Sequence, residues 1–299
     1  MSAAGKQNVT ATYTEWQTDA LDDVGANANV QGDDASTNTA VPTVRLRNYC
    51  QILDKVAQVS GTQEEIDKAG RKSEMAYQMA KRSRELKRDL EYALVQNQSS
   101  TSGGAGSAAL MASVESWLNS RTASGQRRGY TSLQQTGTAA TSSGYVSGTV
   151  AAPTDAATPG TLTEQALKSV IAELWDAGGD PSTIMVGAAG KQKISTSFAG
   201  IATRYRDVPS GKQAQVIGGV DLYISDFGEH RIVPNRFMRT RTVLALDMEY
   251  WAVGYLRGFR SSDLAKTGDS MRRQLLVEAT LIAKNPAASG KIADVNFAL

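Results

Sequence analysis

The sequence predicts a mixed α+β fold, and three observations carry that prediction. Short stretches near the start and after Pro234 alternate apolar and polar residues with a period of two. A run from Thr62 to about Gln98 instead repeats apolar or small residues every three or four positions and contains no proline. Between these regimes, helix-like and strand-like segments take turns within a Ser-, Thr-, Gly- and Ala-rich background. At 299 residues the chain suffices for two compact lobes or one large domain with insertions.

From Val9 to Trp16, small polar and larger residues alternate as in a strand. Val44, Leu46, Cys50 and Ile52 continue a second period-two pattern, broken at Asn48. Gln17 to Pro42 lies between them, rich in Asp, Asn, Gly, Ala and Thr, with a turn signal at Gln31, Gly32, Asp33 and Asp34. Such a stretch has too few large apolar side chains to make its own core, and connections in compact domains have a median of about 4 to 6 residues. It is therefore expected to be mobile or held by something outside its own subunit.

Thr62 and Glu65 form a capping-box signature, which predicts one helix over Thr62 to Gln98, on the order of 50 Å long. Its expected buried stripe is Ile66, Ala69, Ser73, Ala76, Ala80, Ser83, Leu86, Leu90 and Leu94, small at first and leucine-rich later. Leu110, Val114, Trp117 and Leu118 predict a short helix in a loop-rich insertion. Thr161 and Glu164 make a second capping box, ahead of Leu167, Val170, Ile171, Leu174 and Trp175, with Gly178 and Gly179 as the stop. A strand at Ile184 to Val186, a helix at Ala188 to Phe198 and a bent strand at Val216 to Ser225 follow. The tail, with strands at Thr242 to Leu246, Trp251 to Leu256, Arg272 to Ala283 and Ile292 to Val295, predicts a long antiparallel sheet. Leu275, Val277, Ala279 and Leu281 are its expected buried face, opposite a mostly polar one.

The search for chemistry returns little. The lone histidine, His230, cannot supply a multi-ligand zinc site, and its simplest role is structural. The single cysteine, Cys50, cannot pair within the chain and sits in an alternating apolar run. None of the four Gly-Lys pairs is followed by Ser or Thr, so no Walker-type phosphate loop is present, and no serine lies in a Gly-x-Ser-x-Gly elbow. The pairs Asp22 with Asp23 and Asp33 with Asp34 fit a solvated loop, and Glu64 with Glu65 a helix N-terminus. No catalytic residue, cofactor site or metal site is predicted, and the chain is not expected to be an enzyme.

The charge balance of 32 basic against 30 acidic residues gives no strong overall field for nucleic acid. Lys81, Arg82, Arg84, Lys87 and Arg88 against Glu85 nevertheless make one locally basic helical segment. Ordinary surface or subunit contact is the first reading, and a nucleic-acid-binding structural protein using this helix is the alternative. No apolar run approaches the roughly 20 residues of a membrane span, and Met1 to Thr14 lacks a secretory or transit pattern, so a protein made and kept in a cytoplasm is expected.

Particular blocks sharpen this outline. Tyr13, Glu15, Trp16, Gln17, Thr18 and Asp19, then Ser60, Gly61, Thr62, Gln63 and Glu64, resemble recurring blocks of a phage major capsid family. So do Asp67, Lys68, Ala69, Gly70, Arg71, Lys72, Ser73 and Glu74, as well as His230, Arg231, Ile232, Val233, Pro234, Asn235 and Arg236. Ala265, Lys266, Thr267, Gly268, Asp269 and Ser270 complete the set, in the expected order across nearly the whole chain. The chain thus resembles the subunit of the Hong Kong 97 shell fold of tailed bacteriophages.

That resemblance implies an N-terminal arm and extended β-hairpin loop over 1–60, with Gln17 to Pro42 as the loop tip, and a spine helix of the peripheral domain over 61–98. It further implies a mixed α/β axial domain over 99–237 and the antiparallel peripheral sheet with the C-terminus over 238–299. Such chains carry a further segment ahead of the region matching Met1 to Thr12, so a shortened or processed start is expected. The implied partners are copies of itself in hexamers and pentamers, a portal, possible decoration or scaffold proteins and weakly held packaged DNA, without a membrane. The implied location is the virion, after assembly in the host bacterial cytoplasm. Candidate contacts between subunits are Trp16, Asp19, Asp22, Asp33, Asp34, Arg45, Arg47, Arg82, Arg84, Arg88, Arg260, Lys266 and Asp269.

Overall fold

The computed structural model describes residues 3–19, 21, 25–26, 28–34, 40, 42–67, 70–118, 130–132, 144–146, 148–198 and 220–297. Strands β1 (Gly5–Asn8), β2 (Tyr13–Thr18), β3 (Val44–Tyr49) and β4 (Gln51–Ser60) come first, then helices α1 (Gly61–Glu65), α2 (Glu74–Val95) and α3 (Val114–Trp117). The middle holds β5 (Tyr130–Ser132), β6 (Gly144–Val146), β7 (Thr149–Ala151), β8 (Gly160–Thr161), α4 (Glu164–Asp176), β9 (Thr183–Val186) and α5 (Ala188–Ser197). Strands β10 (Leu222–Ser225), β11 (Gly228–Pro234), β12 (Val243–Leu246), β13 (Trp251–Asp263), β14 (Ser270–Ala283), β15 (Gly290–Ala293) and β16 (Val295–Asn296) close the chain. The α+β class is as the sequence predicts.

Two sheets organise the body. One has the order β1-β13-β14-β4, the other β10-β11-β9-β12-β15-β5. The expected single terminal sheet is therefore divided: β13 and β14 pair with each other in the first sheet, whereas β12 and β15 join β9 in the second. The reason is long-range pairing, since β4 completes one sheet against β14 and the buried run Val243 to Leu246 fits a strand covered on both faces.

The first expected strand, Val9 to Trp16, is displaced, since residues 9–12 are not strand and two strands flank them. Gly5–Asn8 runs parallel to β13, and only after a break does Tyr13–Thr18 pair antiparallel with β3. Likewise the second alternating pattern covers two strands that meet at Cys50, and β4 runs on to Ser60.

The predicted continuous helix is two helices. Ser60, not Thr62, caps α1 through a bond from the Gln63 amide, and the chain turns at Gly70 with φ of 84°. Ser73 caps α2, accepting from the Ala76 amide at 3.2 Å. The Glu64 carboxylate reinforces this start by accepting from Ser73 Oγ at 2.6 Å and from the Glu74 and Met75 amides at 3.0 and 3.1 Å. The 22 residues of α2 span about 33 Å. Leu86, Leu90 and Leu94 bury the expected stripe, at roughly 1.5 to 3 kcal/mol each. In the first half the stripe is different: Ala76 and Ala80 are exposed, as is Ile66, and Met75 packs on Ala57 and Val59 instead.

Helix α4 follows its prediction except for its cap, which is Thr163 rather than Thr161, with the Ala166 amide donating at 3.2 Å. The Gly179 amide donates to the Leu174 carbonyl at 2.8 Å after Gly178 takes φ of 80°, the glycine stop expected there. Residues 216–219 of the predicted bent strand lie outside the described residues, and β10 is its remainder.

β14 departs from a simple one-sided strand. Residues 278–283 are buried on both faces, because Val277, Ala279 and Leu281 meet α2 and α3 while Ile282 packs with Val9, Cys50 and Ala252. Only the distal half, Ser270 to Gln274 with its partner in β13, is largely exposed.

Candidate assembly surfaces

Strands β2 and β3 form a two-stranded ribbon of their own, from Tyr13 opposite Tyr49 to Thr18 opposite Val44. Two-stranded ribbons are marginal alone, so the base must be anchored. The break in alternation at Asn48 is that anchor. Its side chain is fully buried, donating from Nδ2 to the Leu281 carbonyl at 2.7 Å and to Ala112 O at 3.4 Å. Its Oδ1 accepts from the Ala112 amide at 2.9 Å and from its neighbour Tyr49 at 3.0 Å. One polar side chain thereby ties the ribbon to β14 and to the segment entering α3.

Aromatic packing fixes the other face. The Trp16 ring lies 5.3 Å from Trp117, which stacks at 6.0 Å and 6° on Tyr145. Arg47 bonds Tyr145, and that bond, with Tyr49, Tyr145 and Glu15 nearby, raises its guanidinium pKa against the opposing effect of burial. Trp16, one of the candidate contacts between subunits, is half-buried and packs against its own subunit's core.

The remaining candidates fall into three places. Asp19, Asp33 and Asp34 are exposed, and Asp33 Oδ1 accepts from the Asp34 amide at 3.0 Å; Asp22 lies outside the described residues. Arg45 is exposed near the ribbon's far end, its Nη1 3.7 Å from Glu15. On α2, Arg82 bonds Glu85 at 2.7 Å while Arg84 and Arg88 are exposed, Arg88 with its guanidinium 5.6 Å over the Phe237 ring. Arg260, Lys266 and Asp269 sit on the exposed end of the β13–β14 hairpin. Loop, helix and hairpin end are separate surfaces, not one cluster.

The face of the first sheet turned away from α2 is also open. Ile52 and Val56 are 54% and 42% exposed, and register places Glu278 beside the first and Leu276 between them. This strip mixes aliphatic and charged side chains, as a protein-contact surface does.

Sequence reasoning missed a buried ionic junction between the insertion and the second sheet. Arg239 Nη1 bonds Glu115 at 2.8 Å and its other arm meets Asp155; Thr242 donates to Glu115 at 3.0 Å. Lys291, 1% exposed, donates to the Glu115 carbonyl at 2.9 Å, and burial pushes its ammonium down to about 8. Asp294 receives Arg241 and the Ala156 amide. Nothing in the local pattern around Lys291 signals burial, because its partners are far apart in the chain.

The lone histidine and the lone cysteine are both buried. His230 is fully buried, with Nε2 2.7 Å from Ser225 Oγ and Nδ1 2.5 Å from the Pro181 carbonyl. Cys50 is buried, and that burial pushes its thiol up to about 11, far from the reactive thiolate range. Among the described residues there is no group of three or more His, Cys, Asp or Glu placed to hold a metal, and no helix long and apolar enough to cross a membrane.

Among the described residues the geometry offers a rooted ribbon, a projecting hairpin and open sheet faces. The model of the SU10 major capsid protein family matches residues 1–296. The chain is 31% identical over 316 residues to the major capsid protein of Escherichia phage Phieco32, covering 97% of this chain and 88% of that one. Among solved structures it is similar to the capsid asymmetric unit of Cyanophage A-1(L), at TM-score 0.67 and 12% identity over 98% of this chain and 91% of that one. It is also similar to the holo-SrpI encapsulin complex from Synechococcus elongatus PCC 7942, at TM-score 0.58 and 9% identity over 99% and 86%. At such identities the structural likeness speaks for the fold alone.

Proposed function

The chain belongs to the SU10 major capsid protein family, and we propose that its copies close head to tail into rings of six and of five that tile an icosahedral phage head around packaged DNA. As a phage capsid protein it is a structural component of the virion. The observation that carries the finer reading is the ribbon, rooted by Asn48 and Trp16 at its base and exposed at its far end. Beyond Thr18 the chain to Thr43 holds five Asp, no Lys or Arg, and only Leu21, Val24, Val30 and Val41 as aliphatic side chains. Leu21 and Val30 are 98% and 76% exposed, so this subunit does not bury them.

In this reading the ribbon's tip lies across the open face of a neighbour's first sheet, where Ile52, Val56 and Leu276 supply apolar contact. Asp19, Asp22, Asp33 and Asp34 then meet basic side chains such as Arg260 and Lys266 on the neighbour. The first sheet with α2 acts as the peripheral domain and the second sheet with α4 and α5 as the axial domain around the ring. A portal, a scaffold or decoration protein and assembly in the host cytoplasm complete the scheme. No catalytic step is assigned to the chain.

Thr18 and Val44 are paired, so an Asn-Gly turn can join them in place of residues 19–43 without disturbing the ribbon. Negative-stain microscopy tests the result. The shortened chain is expected to fold with unchanged circular dichroism yet form no closed particles; normal particles from it would remove the loop from assembly.

A further inference from the structure

The exposed face of α2 carries more cations than the subunit pairs in salt bridges, although Lys81 helps Arg82 hold the Glu85 carboxyl below its usual range and Lys87 lies 5.9 Å over the Phe259 ring. Every acid on α2 is already engaged: Glu74 by Arg71 at 2.8 Å, Glu85 by Arg82 at 2.7 Å, Asp89 by Lys55 at 2.8 Å, and Glu91 by the Asn235 amide at 2.8 Å. Lys81, Arg84, Lys87 and Arg88 are exposed and form no salt bridge among the described residues. Tyr77, Lys81, Arg84, Arg88 and Tyr92 are all exposed and recur every three or four positions, so they form one stripe about 22 Å long. Tyr77 and Tyr92 are 48% and 55% exposed at its two ends, and beside Tyr92 a groove of about 430 Å³ is walled by Lys55, Glu85, Arg88, Asp89 and Phe237, its acids Asp89 and Glu85 paired with Lys55 and Arg82.

We propose that this aromatic-bracketed basic stripe is the surface through which the shell subunit holds the phosphate backbone of enclosed nucleic acid, without regard to sequence. The proposal rests on the shell reading above and adds the inner partner to it. Charge complementarity selects a polyanion, since Lys81, Arg82, Arg84, Lys87 and Arg88 against Glu85 leave four net positive charges over residues 81–88, which a line of phosphates would neutralise. The stripe contains no aliphatic residue, whereas the core of a protein interface is apolar and poor in Lys, so a folded partner fits it less well than a phosphate chain. Arg71 lies 4.4 Å over the Tyr77 ring and Arg88 5.6 Å over Phe237, so it is the exposed Tyr92 ring that offers a base a stacking contact indifferent to its identity. The acidic stretch 17–43 of a second copy is the competing occupant, and the open sheet face with its aliphatic strip suits that stretch better.

The test titrates unassembled full-length protein with a random-sequence DNA duplex at several salt concentrations, beside the quadruple variant K81Q/R84Q/K87Q/R88Q. Four neutralised phosphates give a salt slope of about −3.6, so wild-type affinity should fall about 150-fold over a fourfold rise in salt. The variant should bind at least about 10-fold more weakly at low salt, with a slope shallower by 3 to 4, roughly one per cation removed. An R45Q variant, altered on the ribbon instead, should keep the wild-type curve. The proposal is overturned if the quadruple variant keeps wild-type affinity and slope, or if a peptide of residues 17–43 binds the stripe while duplex does not. Negative-stain images of the same preparations after assembly separate this from the shell reading. Empty closed particles from a quadruple variant that no longer binds duplex support the stripe's role, whereas wild-type protein that never closes into particles contradicts the shell reading and leaves the titration to stand on its own.

Discussion

Replacing Asn48 by Ala is the most informative single change, because one side chain joins three distant parts of the chain. The substitution removes the partner of the Leu281 carbonyl, held at 2.7 Å, and of the Ala112 amide, held at 2.9 Å, at a site where water does not reach. A buried polar group left without a partner costs about 1 to 3 kcal/mol, so two such groups predict a loss of about 2 to 6 kcal/mol. Native stability is of the order of 5 to 15 kcal/mol, which makes that a large share. The loss should concentrate where the side chain acts. Urea unfolding should show an earlier midpoint with little change in slope, and hydrogen exchange should accelerate through residues 13–18 and 44–49 before the rest of the body. Asn48→Asp keeps both accepted bonds but turns an oxygen toward the Leu281 carbonyl, so it should be at least as damaging. A loss below about 1 kcal/mol for Asn48→Ala, with ribbon exchange unchanged, would show that the ribbon is held by something other than this anchor.

Two further changes follow from the interior. Burial holds Lys291 near 8 against roughly 10.4 in an unfolded chain, so between those values the unfolded state binds one proton more and stability rises with pH. Burial holds Cys50 near 11 against roughly 8.5 unfolded, so above about pH 8.5 the native state binds one proton more and stability falls. Each slope approaches about 1.4 kcal/mol per pH unit, and from about pH 9 to 10 they oppose one another. Chemical unfolding across that window should therefore be nearly flat for the wild type, fall with pH in Lys291→Met and rise with pH in Cys50→Ala; parallel curves for all three would contradict the assignment. Proline at Ser83, in the interior of α2, should cost about 3 kcal/mol or more, whereas proline at Ala76 should cost less, because the Ala76 amide bonds the Ser73 cap and not a helical carbonyl. Thermal melts by circular dichroism check the order, and equal losses at the two positions would mean that α2 extends further toward Gly70 than Ser73.

The legible parts of this fold are those set by neighbours in sequence. The leucine spacing from Leu86 to Leu94, the glycine stop after Trp175 and the buried strand at Ile184 to Val186 all depend on local periodicity and turn chemistry. The division of the long helix was harder to see, because residues 62–98 keep helical spacing throughout and only Gly70 marks the turn. Sheet membership was not legible at all. β1 pairs with β13 and β4 with β14, partners more than two hundred residues apart, and nothing in a strand's own alternation says which edge it will join. The same limit hid the junction at Glu115, Arg239 and Lys291, whose members are ordinary charged residues until three distant segments meet. Asn48 stands between these cases, since the break in alternation was visible while its cause, a carbonyl on β14, was not.

The ribbon and the β13–β14 hairpin share a construction that bears on how a shell could be both exact and closed. Each runs as paired strands from the body into a stretch exposed to solvent, β13 through register shifts between Tyr255 and Arg260. A contact made at such an end is transmitted to the core through paired backbone, so its direction is fixed before a partner arrives and less ordering entropy is lost on association. The stretch 19–43 is the opposite case. Ordering its 25 residues would cost on the order of 25 to 50 kcal/mol of backbone entropy, which four aliphatic side chains at about 1.5 to 3 kcal/mol each cannot offset. In the proposed shell a neighbour's surface would supply the difference through many backbone and side-chain bonds at once. Rigid roots with tips that settle only against another copy would let one sequence serve rings of different size, because the body keeps its shape while the last contact adapts.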